Sequence, residues 1–239
     1  MNLAAKVGHA IAVLRQAELE FAPAVLSTSL GVEDQVLTDL IARHVPGIGI
    51  FALDTGRLPA ETYELLARTE ARYRRRIQVY FPATAAVEQY VRFNGINGFF
   101  ESVTQRKACC EVRKTEPLRR ALDGKRGWIT GMRREQSVTR TTLEESSFDE
   151  THGVRKFNPL ADWTQDDVWA YTREHDVPYN ALHDRAYPSI GCAPCTRAVD
   201  PGEDLRAGRW WWESAEQKEC GLHVAAAGPK SPTLEPVVA

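Results

Sequence analysis

The five cysteines are the residues of this 239-residue chain with the clearest capacity for chemistry. Cys192 and Cys195 form a Cys-x-x-Cys pair, and Cys220 follows them within the sequence Glu-Cys-Gly-Leu-His. Cys109 and Cys110 are adjacent and lie far from that pair along the chain. Two thiol pairs and a fifth thiol predict a site with four thiolate ligands and one separate, reactive cysteine.

Each pair also has a simpler interpretation. A Cys-x-x-Cys sequence occurs in redox disulfides, and two adjacent cysteines are often small buried apolar residues. Zinc binds four thiolates, although its usual sites draw on two spaced pairs, and iron–sulfur clusters are also held by four cysteines. The residues alone therefore leave three possibilities open: a cluster, a zinc site and unrelated structural thiols.

Strands that alternate with helices must position these cysteines. The apolar periodicity predicts strands at 24–29, 48–53, 77–81 and 128–132, with an edge strand at 154–160. It predicts helices at 3–20, 32–44, 59–76, 84–92 and 162–175, and a basic helix from Cys109 to Arg120. This order indicates an α/β fold with a single doubly wound, mainly parallel sheet flanked by helices, whose ligand sites lie at the carboxyl ends of the strands.

Two polar segments follow predicted strands at that edge of the sheet. Thr28, Ser29 and Gly31 lie between a strand and a helix, where backbone N–H groups can hold an anion, although a plain βα turn has the same pattern. The arginine-rich segment 133–140 follows the fourth strand and is either a solvated surface or a phosphate clamp. Its position at the predicted ligand edge favours the clamp.

Composition and charge restrict the class of protein. The chain is 43% hydrophobic and 26% charged with a net charge of −2, which is typical of a globular protein and gives no case for nucleic-acid binding. We find no apolar run of the ~20 residues that a membrane span needs and no signal peptide. The odd number of cysteines then favours a reducing cytoplasm. From Ala198 the composition predicts a mobile tail, and we expect residues 224–239 to be disordered.

With these motifs placed, residues from about 20 to 223 resemble the assimilatory adenylyl-sulfate (APS) reductases. These enzymes are relatives of the phosphoadenylyl-sulfate (PAPS) reductases, in the adenine nucleotide alpha-hydrolase-like superfamily. The segments that carry the resemblance are Ser27–Asp34, Leu53–Gly56, Lys107–Lys114, Gly131–Ser137, Tyr187–Thr196 and Lys218–His223.

The resemblance implies a role for each site residue. Cys109, Cys110, Cys192 and Cys195 would hold one 4Fe-4S cluster, and Cys220 would be the catalytic nucleophile. The substrate-binding residues would be Thr28, Ser29 and Gly31 beside the phosphosulfate, Leu53 and Gly131 at the adenosine, and Lys114, Arg140, Arg206, Arg209 and His223 around the sulfate.

The resemblance also implies an activity, which is the thioredoxin-dependent reduction of APS to sulfite and AMP through an S-sulfocysteine on Cys220, in sulfate assimilation and cysteine biosynthesis. Residues 1–223 would form the reductase domain. Because no thioredoxin-like domain follows, we expect an external thioredoxin as the partner. A homo-oligomer is compatible with the sequence. The alternatives are a PAPS reductase that carries a cluster and a non-catalytic nucleotide-binding protein with a structural zinc.

Overall fold

The computed structural model describes residues 2–136 and 140–214. Its helices, numbered in chain order, are α1 (Leu3–Glu20), α2 (Val32–His44), α3 (Ala60–Tyr73), α4 (Thr84–Asn94), α5 (Val103–Cys110), α6 (Glu116–Leu122) and α7 (Gln165–Glu174). Its strands are β1 (Ala24–Thr28), β2 (Gly49–Leu53), β3 (Gln78–Tyr80), β4 (Gly127–Ile129), β5 (Ser146–Asp149) and β6 (Val154–Phe157). Each strand and helix expected from the sequence is present, with bounds that differ by a few residues at most of their ends.

The strands of the described residues form one sheet in the order β3-β2-β1-β4-β6-β5. All neighbouring pairs are parallel except β5 and β6, which pair antiparallel. The single, mainly parallel sheet predicted from the sequence is therefore confirmed. The prediction that residues 154–160 form an edge strand is wrong, because β5 pairs with β6 and takes the edge itself.

Both faces of the sheet are covered, as parallel strands require. On one face Leu26 and Ile129 pack in a large apolar core with residues of α1, α2 and α7. On the other face Val25 and Trp128 pack against Leu118 and its neighbours in α6. This arrangement leaves the ends of the strands, and not the faces of the sheet, as the place for a ligand.

The strand order reverses between β1 and β4. From β1 the chain moves outward to β2 and β3 on one side, and it later returns to place β4 on the other side. Leu26 pairs with Ile129, so the residues that follow these two strands come close together. A reversal of this kind opens a crevice at the carboxyl ends of the strands, where ligands of this fold class bind.

The cysteine pair 109–110 ends a helix and does not begin one, which corrects the sequence prediction. Ser102 caps α5 by accepting a hydrogen bond from the N–H of Gln105 at 3.1 Å. A π-helical turn, Glu111–Thr115, then joins α5 to α6 without a break. The start was missed because the cap lies seven residues before the cysteines, in a stretch with little apolar periodicity.

The end of the described part of the predicted mobile tail packs against the body. The side chain of Glu213 is 2% exposed and Trp210 is 1% exposed. A backbone bridge also pairs Arg209 with Thr196. Residues 200–205 of the same segment are exposed, and mobility of the tail from Ala198 stays a prediction. The expected domain boundary at residue 223 lies outside the described residues.

Among the helices of residues 2–136 and 140–214, none is long and apolar enough to cross a membrane.

Candidate active site

A cavity opens at the carboxyl ends of β1, β2 and β4, at the reversal of strand order. Cys220 and His223 lie outside the described residues. Every other residue predicted to bind substrate lines this cavity: Thr28, Ser29, Gly31, Leu53, Lys114, Gly131, Arg140, Arg206 and Arg209. The cavity thus gathers residues that are up to 181 positions apart, between Thr28 and Arg209.

The turn after β1 is held in shape by Asp34. Both the backbone N–H and the hydroxyl of Ser29 donate to Oδ2 of Asp34, at 2.7 and 2.8 Å. The N–H of Leu30, whose φ is +61°, donates to the hydroxyl of Thr28 at 2.9 Å. Several donors of the predicted anion turn are therefore occupied by its own side chains, so in this conformation they do not point at a ligand.

Asp34 is a site residue that the sequence reasoning did not single out. It lines the cavity and is 7% exposed. Burial raises its pKa to about 6, although the hydrogen bonds from Ser29 favour the charged form. The signal available in the sequence was an acidic residue in the first turn of α2, where a helix N-terminus favours negative charge.

Gly131 allows the exit of β4 to approach the start of α2. A Cβ atom at this position would lie 2.3 Å from Oδ1 of Asp34 and 3.3 Å from its backbone nitrogen. Only a residue without a side chain fits between these two elements. The predicted adenosine position at Gly131 and the turn after β1 are therefore parts of one wall.

The predicted phosphate clamp at 133–140 divides into different roles. Arg133 is 1% exposed and donates to Oε1 of Glu33 at 2.9 and 3.0 Å, so its charge is balanced inside the protein. Arg134 pairs with Asp162 and is partly exposed. Arg140 lines the cavity, and it donates to the side-chain oxygen of Gln136 at 2.6 Å. Arg133 also lines the cavity, with its charge balanced by Glu33, whereas Arg134 is not among the lining residues. The clamp therefore stays a prediction for Arg133 and Arg140.

Arg209 is held beside the cavity by two close contacts. A Cβ atom at Gly191 would lie 2.3 Å from its Nη2, so the missing side chain of Gly191 makes room for the guanidinium. The same guanidinium lies 4.7 Å from the ring centroid of Trp210, within cation–π range. These contacts fix a cation at the cavity wall.

The four cysteines of the two pairs line a second, smaller cavity. None of these four thiols takes part in a disulfide. The cavity is also lined by the cationic residues Arg57, Arg106, Arg113 and Lys114. Within residues 2–136 and 140–214, no group of three or more His, Cys, Asp or Glu side chains is arranged to hold a single metal ion.

Opposing effects act on the pKa values of the thiols in this cavity. Burial raises the pKa of Cys195 to about 12, and the neighbouring Cys192 adds to the rise, while Lys114 and Arg209 oppose it. Burial also raises the pKa of Cys109. Thiols with such pKa values are protonated at neutral pH unless a metal group takes the place of the proton.

The two cavities share a wall. Lys114, Cys192 and Trp210 line both of them. Lys114 lies in the π-helical turn, four positions after Cys110. An ammonium group is therefore placed between the cysteines and the pocket that gathers the predicted substrate-binding residues.

Comparisons with known proteins agree with this geometry. Residues 23–198 match the model of the phosphoadenosine phosphosulfate reductase domain family. The chain is 52% identical to the adenosine 5′-phosphosulfate reductase of Allochromatium vinosum, over 99% of this chain and 93% of that protein. It is 53% identical to the Burkholderia cepacia protein of the same name, over 95% of this chain and 91% of that protein.

Solved structures give the same result for the fold. The phosphoadenylyl-sulfate (PAPS) reductase of Candida auris, in a phosphate complex, superposes with a TM-score of 0.68 at 29% identity, over 80% of this chain and 90% of that chain. The FMN adenylyltransferase of Candida glabrata in complex with ATP has a TM-score of 0.58 at 13% identity, over 91% of this chain and 74% of that chain, and shares the fold alone.

Proposed function

Because the chain belongs to the phosphoadenosine phosphosulfate reductase family, we propose that it reduces adenosine 5′-phosphosulfate (APS) to sulfite and AMP with thioredoxin as the electron donor. The observation that carries this proposal is the wall shared by the two cavities, where Lys114 and Cys192 face both the predicted nucleotide pocket and the cysteine cavity. The relatives named adenosine 5′-phosphosulfate reductase support APS as the substrate.

The adenosine part of APS binds between Leu53 and Gly131, at the ends of β2 and β4. Lys114, Arg140 and Arg209 line the same cavity and supply its positive charge. Such cations stabilise the charge that develops on the phosphate oxygens when AMP leaves, because they are held in place before the reaction begins. Arg206 and His223 complete this cationic set, His223 from outside the described residues.

Cys220 is the nucleophile of the proposed reaction. Its thiolate attacks the sulfur of APS, so that a bond forms between the two sulfur atoms, the bond to the phosphate oxygen breaks and AMP leaves with the electron pair. A thiolate of reduced thioredoxin then attacks Sγ of Cys220 and releases sulfite. The second thioredoxin thiol resolves the mixed disulfide, so the thioredoxin dithiol supplies the two electrons.

Cys109, Cys110, Cys192 and Cys195 hold a 4Fe-4S cluster in this proposal. The support is the donor set, which is four thiols outside any disulfide on one cavity that is also lined by cations. A zinc site with the same four thiolates is the alternative, and metal and labile-sulfide analysis separates the two. When bound, the cluster would supply a fixed negative charge that orients Lys114.

The test begins with anaerobically purified protein, in which we expect about four irons and four labile sulfides per chain. Given APS alone, the protein should gain one sulfonate group on the peptide that contains Cys220. Reduced thioredoxin should then release sulfite in equal amount. Cys220→Ser should keep the iron but form no adduct, whereas Cys195→Ser should lose the iron.

Two outcomes would replace the proposal. Equal or better turnover of PAPS, measured with the same thioredoxin, would make the chain a PAPS reductase, as the Candida auris structure is named. Stoichiometric zinc without labile sulfide or sulfite release would indicate a nucleotide-binding protein with a structural metal.

A further inference from the structure

A buried ion pair joins the cysteine-bearing helix to the last residues that the structure describes. Nε of Arg106 donates to Oε1 of Glu213 at 2.9 Å, and Nη2 donates to Oε2 at 2.7 Å. The two side chains are 1% and 2% exposed. Two parallel hydrogen bonds between a guanidinium and a carboxylate fix the relative orientation of the groups as well as their distance.

The same guanidinium also contacts Trp210. It lies 4.6 Å from the ring centroid, within the range of a cation–π interaction. The N–H of Glu213 donates to the carbonyl oxygen of Trp210 at 2.9 Å, so the two residues form a tight turn. Arg106 therefore holds this turn at two points, one charged and one aromatic.

Arg106 is also tied to the cysteine cavity. It lines that cavity and precedes Cys109 by three positions, one helical turn. Its guanidinium also interacts with the side chain of Cys110. The group stays charged between its carboxylate partner and a cysteine sulfur.

Cys220 follows Glu213 by seven positions. Seven residues extend at most about 25 Å, so the location of Glu213 sets the region that the Cys220 thiol can reach. We propose that Arg106 is a positioning residue. Through Glu213 and Trp210, it fixes to α5 the point from which the chain continues to Cys220. This inference rests on the proposed function, because it takes Cys220 as the nucleophile.

An ion pair with a structural role alone is the competing interpretation. Breaking such a pair would lower stability and impair nucleotide binding and chemistry together. A positioning pair instead controls how often the thiolate meets the substrate sulfur, so its loss should slow that step while the nucleotide pocket stays intact. Comparing the change in the AMP dissociation constant with the change in the rate of Cys220 sulfonation therefore distinguishes the two roles.

The experiment compares Glu213→Gln with Glu203→Gln in the full-length, metal-loaded protein. Glu203 is the control for the hydrogen-bond pattern, because it accepts two hydrogen bonds from Arg197 at 2.7 and 2.8 Å in the same segment, but it is 31% exposed and pairs away from α5. The readouts are the dissociation constant of AMP, the visible absorption of the metal group and the single-turnover rate of Cys220 sulfonation by APS.

We expect Glu213→Gln to slow sulfonation about tenfold to a hundredfold, while the AMP dissociation constant stays within about twofold and the absorption is unchanged. Glu203→Gln should match the wild type. Arg106→Lys restores the cation but not the paired hydrogen bonds, so its rate should lie between those of wild type and Arg106→Gln. Trypsin should also cleave after Arg209, which is 8% exposed, faster in Glu213→Gln than in the control.

Equal loss of AMP binding and sulfonation in Glu213→Gln, or a rate equal to that of Glu203→Gln, would overturn the positioning role. If Glu213→Gln fails to fold, Glu213→Asp takes its place, because it keeps the charge and shortens the side chain by one methylene group. The same comparison of AMP binding with sulfonation rate then tests the positioning role. A wild-type protein that forms no adduct on Cys220 contradicts the proposed function itself, so the two failures are distinguishable.

Discussion

The hydroxyl oxygen of Thr55 lies 3.2 Å from the sulfur of Cys192. The same oxygen accepts a hydrogen bond from the N–H of Arg57, and the carbonyl oxygen of Thr55 accepts one from Arg113 at 2.7 Å. Thr55 follows β2 and lines the cavity at the carboxyl ends of the strands. These contacts therefore connect that cavity to the cavity that the cysteines line. A change on one side therefore acts directly on the other.

Thr55→Val tests this connection. Valine has nearly the same shape but leaves the Cys192 sulfur and the Arg57 amide without their partner, so we expect the free energy of unfolding to fall by about 1–2 kcal/mol. Denaturant unfolding followed by circular dichroism measures the loss. Thr55→Ser keeps the hydroxyl and should lose clearly less, and a Thr55→Val protein as stable as the wild type would show that the hydroxyl contacts contribute nothing.

Asp34 should make stability depend on pH in an unusual direction. Its pKa in the folded protein is about 6, above the ordinary value of 3.8, so the folded state binds this proton more tightly than the unfolded chain. Its contribution is therefore present at low pH and is lost as the pH rises from about 4 to about 6. Relative to Asp34→Asn, the wild type should gain about 1 kcal/mol between about pH 7 and about pH 5.

Paired unfolding curves of these two proteins at both pH values measure that gain. The comparison within each pH cancels the acid response that the two proteins share. A constant difference between them would show that Asp34 is ionised in the folded protein over the whole range.

Gly131→Ala should damage the nucleotide pocket. The new Cβ would meet Oδ1 of Asp34 at 2.3 Å and the backbone of α2 at 3.3 Å, and this contact cannot be relieved by moving the end of a flexible side chain alone. We expect a loss of about 1–3 kcal/mol in stability and weaker AMP binding, measured by calorimetry. Gly8→Ala is the control, because no atom lies within 4 Å of its Cβ and alanine stabilises a helix at this exposed position of α1.

Gly191→Ala should separate stability from substrate affinity. Its Cβ would meet the guanidinium of Arg209 at 2.3 Å, and the end of an arginine side chain can move aside at small cost. We therefore expect unfolding to change by less than about 1 kcal/mol, while KM for APS rises about tenfold as the cation leaves its place. Steady-state kinetics with APS measures the change. An unchanged KM would show that Arg209 does not contact the substrate.

The fold was predictable because its signals are local and agree with one another. Short apolar runs alternate with amphipathic helices, and this order alone indicates a parallel sheet with its ligand site at the strand ends. Thr28, Ser29 and Leu53 could be assigned to one edge for that reason, and the structure places them on one cavity. The strand β5 was missed because Ser146 to Asp149 has no apolar alternation, and its pairing with β6 decides its structure.

The contacts that organise the site join residues far apart in the sequence, and no local sequence pattern predicts them. Arg133 looks like a ligand-binding arginine in the sequence, yet Glu33, a hundred positions earlier, neutralises it. Arg106 and Glu213 are 107 positions apart, and the guanidinium of Arg106 also contacts the buried ring of Trp210. Charge runs in a sequence show which groups are available, but tertiary structure decides which of them are already paired.

The π-helical turn at Glu111–Thr115 has a consequence for how the sequence between α5 and α6 can vary in length. Such a turn is equivalent to one residue inserted into a regular α-helix. Removing one residue would therefore restore a regular α-helix without rotating α6, and the change would fall on the residues of the turn itself, Lys114 among them. Leu118 could stay in the core while Lys114 lost its place between the two cavities. A one-residue deletion in the turn should therefore leave the fold intact and disturb the site, whereas a deletion within α6 should disturb the core.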